Sequence, residues 1–241
     1  MKAQTLTIIL ATAILFSSCV KTPQPEEELP PHFSILGDSF SAYEGYVYPE
    51  TNDVWHYDTI GVTSAEQMWW YKVATQMEWV LDKNNAFSGS LISNFGDFNA
   101  GSYYQPQSFL HRMDRLGDPD VIFILGGTND VLRGASQSEY VYSDWTEEQL
   151  EAFRPATAYL LDNLKRLYPK AKLYLLIDLY LNDLNPNGQA FVESMRKIAV
   201  HYNVDYIELN GIHKTWGHPD AKGQADIARQ VVEAIEAGFN V

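Results

Sequence analysis

Two uninterrupted apolar pentapeptides, Val121-Ile122-Phe123-Ile124-Leu125 and Leu173-Tyr174-Leu175-Leu176-Ile177, constrain this chain more than any other feature. A strand wetted on one face alternates apolar and polar residues, whereas a strand with no polar position must be covered on both faces. That is the environment of a central strand in a parallel sheet with helices above and below. From Phe33 onward, short β-branched or aliphatic runs alternate with longer amphipathic stretches, with no internal repeat, as an α/β sandwich requires. Strands are expected over 33–36, 79–82, 121–125, 172–178 and 204–209, and helices over 65–76, 107–116, 147–168, 188–202 and 221–237. The expected fold class is α/β: a three-layer α/β/α sandwich around a five-stranded, mainly parallel sheet.

Composition narrows the partners. The 241 residues are 46% hydrophobic and 20% charged, which suits one well-filled catalytic domain, and the formal net charge is -14. Nucleic acid and anionic membrane surfaces demand clusters of Lys and Arg, so neither is an expected partner, and a neutral or cationic substrate fits better. Oligomeric state is left open. The first residues read as an address: Lys2, an apolar stretch over 6–16, then Ser17-Ser18-Cys19, together too short to span a bilayer. Residues 1–18 are therefore expected to be a signal peptide. The segment resembles a bacterial lipoprotein signal, which implies lipidation of Cys19, although Phe16 stands where Leu is usual; a plain secretory signal with an incidental cysteine is the other reading. Cys19 is the only cysteine, which rules out an intrachain disulfide. Residues 19–31, with Pro23, Pro25, Pro30, Pro31 and three consecutive glutamates, read as a tether. The folded domain is expected over 32–241, exported and touching membrane only through a lipid anchor.

In an open parallel sheet, ligand chemistry gathers in the loops beyond the carboxyl ends of the strands. The notable polar segments fall there: Gly37-Asp38-Ser39 after the first strand, Ser88-Gly89-Ser90 after the second, Gly126-Gly127-Thr128-Asn129-Asp130 after the third, and His218-Pro219-Asp220 before the last helix. Alone, Gly-Asp-Ser also makes an ordinary turn with Ser as a helix N-cap. The ordered set resembles the SGNH, or GDSL-type, hydrolases over Phe33 to about Ala237. The resemblance implies a flavodoxin-like fold and serine esterase activity. It casts Ser39 as nucleophile and His218 as base, with the Ser39 and Gly89 backbone N–H groups and the Asn129 amide as oxyanion donors. Acyl transfer needs such a set: a nucleophile, a base for its proton, and donors aimed at the developing oxyanion.

The histidine block departs from the family pattern. Three residues before the base the family carries the triad acid, and here that position is Thr215. His213, three residues after Asn210, is a rival base. Glu208, at the end of the last expected strand, is a candidate acid, and a dyad held by a backbone carbonyl is the alternative. His213, His218 and Asp220 match no helical zinc spacing, and no Walker or dinucleotide glycine fingerprint is present, so neither metal nor cofactor is expected. The aromatic segment Tyr43, Tyr46, Tyr48, Trp55, Tyr57, Trp69, Trp70 and Tyr71 either packs or walls the cleft beside Ser39, with packing the commoner use. Two functions follow. One is a serine esterase removing short acyl groups, foremost O-acetyl from carbohydrate, with a lipase or lysophospholipase activity as a variant. The other is a carbohydrate-binding protein on the same scaffold, favoured only by the absent aspartate.

Overall fold

The computed structural model describes residues 29–96 and 107–238. The expected signal peptide, Cys19 and most of the tether lie outside them. Five strands form one all-parallel sheet: β1 (His32–Gly37), β2 (Val80–Ala86), β3 (Val121–Leu125), β4 (Lys172–Asp178) and β5 (Asp205–Leu209), in the order β2-β1-β3-β4-β5. The helices are α1 (Trp69–Met77), α2 (Thr128–Arg133), α3 (Phe153–Leu167), α4 (Leu181–Leu184), α5 (Gly188–Tyr202) and α6 (Ala221–Glu236).

The two faces of each central strand feed two separate cores. Ile122, Ile124, Leu173, Leu175 and Ile177 point to one side, against α3 and α5. Val121, Phe123, Leu125, Tyr174 and Leu176 point to the other, against α1 and α6. This division is why neither pentapeptide tolerates a polar residue. Among the described residues no helix is long and apolar enough to cross a membrane.

The expected helix over 107–116 is not formed: the segment holds one 3-10 turn, Phe109–His111. Its apolar residues Phe109, Leu110, Met113 and Leu116 are buried at helix-like spacing, but the backbone is claimed by outside partners. The Asn85 side chain donates to the Arg112 carbonyl at 2.9 Å, and the Leu116 N–H donates to the Tyr168 hydroxyl at 3.0 Å. The expected 147–168 helix divides into a 3-10 turn, Gln149–Glu151, and α3. Pro155 lies in the first turn of α3, where its missing N–H is harmless, and it could not sit deeper in a longer helix. Likewise the expected helix over 65–76 opens as a 3-10 turn, Ala65–Gln67, and restarts at Trp69 after extended Met68. Gln224 of α6 accepts the Trp69 N–H at 2.9 Å, which fastens the start of α1 to α6.

Candidate active site

The four polar segments converge at the carboxyl ends of the strands. Just after β1, the Asp38 carboxylate accepts the Phe40 N–H at 3.0 Å, and the Asp38 carbonyl accepts the N–H groups of Ser41 and Ala42. The chain therefore turns tightly at Ser39. Tyr57 donates its hydroxyl to the Ser39 carbonyl at 2.6 Å, and Gln224 binds both the Phe40 carbonyl and the Tyr57 hydroxyl. Tyr57 belongs to the aromatic segment after Ser39, whereas Gln224 carries no signal that reading the sequence as blocks would find.

His218 arrives on a two-stranded hairpin, β6 (Lys214–Thr215) and β7 (His218–Pro219), turned by Trp216 and Gly217 with φ of 51° and 80°. Two successive positive φ values are the geometry of a tight hairpin turn. The hairpin is fixed to the sheet by Lys214, whose ammonium lies 2.8 Å from the Asp178 carboxylate at the end of β4, both side chains being buried. The contact is ionic and off the axis of a directed hydrogen bond. The same ammonium lies over the rings of Tyr180 and Phe40, at 4.5 and 5.6 Å from their centroids.

From this hairpin His218 Nε2 comes within 2.9 Å of Ser39 Oγ, the reach a base needs to take a hydroxyl proton. Burial holds the imidazole below the usual histidine range, the Trp216 carbonyl raises it, and nearby Lys214 lowers it again. The ring is thus biased to its neutral, proton-accepting form. Its Nδ1 faces the Trp216 carbonyl at 3.5 Å. Trp55 stacks on the imidazole at 3.7 Å with 4° between the planes, and Phe40 meets it edge-on at 5.5 Å.

The remaining candidates for the histidine's support lie elsewhere. Glu208 pairs with Arg196 of α5. Thr215 donates its hydroxyl to Asp220 at 2.9 Å, and His213 pairs with the same carboxylate through Nδ1 at 2.6 Å. Asp220 is also the N-cap of α6, accepting from the Lys222 and Gly223 N–H groups. His213 is therefore engaged with a helix cap, while His218 faces the serine, and among the described residues no carboxylate reaches His218. Nor, among the described residues, do three His, Cys, Asp or Glu side chains converge on a point that would hold a metal.

Asn129 lies in the first turn of α2 and donates one amide hydrogen to the Ser90 carbonyl at 2.9 Å, leaving its second for the cleft. Gly126 and Gly127 make this placement possible for different reasons. A Cβ on Gly126 would meet the Phe109 ring at 2.4 Å, and Gly127 has φ of 97°. Gly89 also holds a positive φ, 77°, so it is a required turn residue and not merely a flexible one. Among the described residues neither the Ser39 nor the Gly89 N–H has an acceptor. Ser39, Gly89, Asn129 and His218 all line one cleft of about 370 Å³ together with Asp53, Trp55, His56 and Arg133.

Buried charge supports these loops from beneath. Asp130 accepts the Ile92 and Ser93 N–H groups and the Ser93 hydroxyl, fixing the loop after Gly89. Arg112, fully buried, binds the carbonyls of Gln107, Asn85 and Gly37 and the Ser90 hydroxyl. Burial raises Asp38 to about 7 and Asp130 to about 6, and it lowers Arg112 to about 9.

A parallel sheet with a serine, a histidine and uncommitted N–H donors at its carboxyl edge is the arrangement of an α/β acyl hydrolase. The particular family follows from comparison. The family model for GDSL-like lipases/acylhydrolases matches residues 31–235, and the chain belongs to that family. A structure from Bacteroides ovatus, assigned by name to the GDSL-like lipases, is 42% identical over 87% of this chain and 100% of its own, with a TM-score of 0.80. Another so named, from Bacteroides uniformis, is 37% identical over 86% of this chain and 96% of its own, with a TM-score of 0.79. An acetyl xylan esterase from Geobacillus stearothermophilus shares the fold at 16% identity, covering 88% of this chain and 96% of that one, with a TM-score of 0.57. Among curated proteins none matches the chain.

Proposed function

We propose that the chain is a serine esterase that removes short acyl groups, foremost O-acetyl groups of carbohydrate, through a Ser39–His218 dyad. The observation that carries this reading is the 2.9 Å approach of His218 Nε2 to Ser39 Oγ beside three uncommitted donors. Ser39 Oγ forms a bond to the acyl carbon as its proton passes to His218 Nε2. The oxyanion is received by the Ser39 and Gly89 N–H groups and the Asn129 amide, each able to lower the barrier by ~3 kcal/mol. His218 then gives its proton to the departing alkoxide oxygen as the C–O bond breaks. Water attacks the acyl-serine with its proton taken by His218, and that proton returns to Ser39 Oγ as the carboxylic acid leaves.

The carbohydrate assignment is supported by a second, larger concavity of about 660 Å³ that shares Val54, Trp55 and His56 with the catalytic cleft and is lined also by Tyr43, Tyr57, Glu44 and Asp58. Aromatic side chains offer flat apolar faces to sugar rings. Export and anchoring through Cys19 are part of the same proposal, since a tethered enzyme meets glycans outside the cell. The test is to measure kcat/KM for acetyl, butyryl and octanoyl p-nitrophenyl esters, together with acetate release from acetylated xylan. A maximum at acetyl with acetate release is expected. A maximum at octanoyl transfers the enzyme to the lipase reading, and no turnover of any ester leaves the binding-protein reading.

A further inference from the structure

We propose that Trp55 does for His218 what a carboxylate does in a catalytic triad: it fixes the plane of the imidazole and stabilises the imidazolium that forms during turnover. The inference rests on the dyad reading of Ser39 and His218 and adds a positioning residue to it.

A triad acid has two tasks, to hold the base in one tautomer and orientation and to stabilise its protonated form. No described carboxylate is placed for either task here. The Trp216 carbonyl faces Nδ1 at 3.5 Å, which selects the tautomer with hydrogen on Nδ1 but is too long for a strong bond. Orientation comes from the rings. Trp55 lies parallel to the imidazole at 3.7 Å and 4°, and Phe40 closes another side edge-on at 5.5 Å. A parallel stack restricts tilt and leaves rotation in the plane, which the Nε2 contact to Ser39 and the Nδ1 contact to Trp216 then fix.

The charge argument points the same way. The face of an indole is the most attractive of the aromatic faces to a cation, and more so out of water. His218 is half-buried, so its protonated form lacks part of its hydration. Of the other charged groups nearby, Lys214 disfavours the imidazolium. Asp220 is occupied by His213 and Thr215, and Asp53, His56 and Arg133 line the same cleft. Trp55 is then the neighbour whose interaction strengthens as the ring becomes charged. It also bounds the larger concavity, which places the proposed sugar site and the base on one side chain.

The experiment compares Trp55→Phe, Trp55→Leu and His218→Ala in the full mature chain, with p-nitrophenyl acetate as substrate. Leu keeps apolar bulk over the ring but has no π face, so kcat should fall about tenfold or more in Trp55→Leu, with Trp55→Phe between it and the wild type. The pH at which kcat/KM is half lost on the acid side should move down in Trp55→Leu, because the protonated ring loses its partner. In the wild-type protein the Trp55 component of fluorescence, isolated by difference against Trp55→Phe, should be quenched on acidification with the midpoint seen in kcat/KM. That titration should vanish in His218→Ala. Equal kcat and an unmoved acid limb in Leu, Phe and wild type would overturn the role of Trp55 while the dyad stands. If His218→Ala keeps full activity, the dyad reading itself fails.

Discussion

His218 and His213 are five positions apart, and the choice between them is decided by what each ring touches. His213 shares the Asp220 carboxylate with Thr215 and the first turn of α6, whereas His218 Nε2 faces Ser39 Oγ. His218→Ala should lower kcat by ~10²- to 10⁴-fold, the usual contribution of a general base, with an unchanged circular dichroism spectrum. His213→Ala should keep most activity and lose some stability through the cap. Because burial lowers the His218 pKa, kcat/KM should persist on acidification to a pH below the ordinary imidazole midpoint. A midpoint above it would contradict burial as the dominant influence on the ring. The histidine, serine and asparagine were legible as residues in short motifs. Trp55 and Tyr57 stood out only as members of an aromatic segment beside Ser39, with no particular role, and Gln224 not at all, because the fold brings it to the site from within a helix that carries no motif.

The element that matters most to the site is the β6–β7 hairpin, Lys214 to Pro219, held at its base by the Lys214–Asp178 pair. With both side chains only 6% and 5% exposed, removing one partner strands a buried charge, at a cost of ~3–5 kcal/mol. Lys214→Met and Asp178→Asn should each lower the urea midpoint, and each should lower kcat more than it raises KM, since the hairpin carries the base. Urea midpoints equal to wild type would show that the pair is not structural. Closed apolar runs revealed β3 and β4, and unbroken amphipathic stretches revealed α5 and α6, whereas the second strand, expected over 79–82, runs on through Asp82, Lys83, Asn84 and Asn85 to Ala86 because its polar side chains are met by the loops around it. Periodicity failed over 107–116, where Asn85 and Tyr168 from distant elements take the backbone groups a helix would have used. The hairpin was invisible for the same kind of reason: Lys214 and Asp178 are 36 positions apart in sequence, and only the sheet makes them neighbours.

At the scale of the whole molecule, the carboxyl ends of the strands rest on buried ionisable groups, and this makes stability depend on pH. Asp38 is raised to about 7 and Asp130 to about 6, both chiefly by burial, while an unfolded aspartate titrates near ~4. A carboxyl raised on folding contributes its full stability below the unfolded pKa and loses it as pH rises through the folded value. The melting temperature should therefore decline between about pH 4 and pH 7, the span between the unfolded and folded values. Asp38→Asn, which keeps the acceptor for the Phe40 N–H, should flatten that decline, and an equally steep slope in the variant would remove Asp38 from the account. What binds the sheet, the loops and the hairpin into one enzyme is the meeting of Ser39 with His218, and the most direct test is covalent. Treatment of the mature protein with a fluorophosphonate, followed by peptide mass spectrometry, should place a single adduct on Ser39, absent in Ser39→Ala and slowed in His218→Ala. Labelling that survives in Ser39→Ala, or an active preparation that takes up no label, would contradict it.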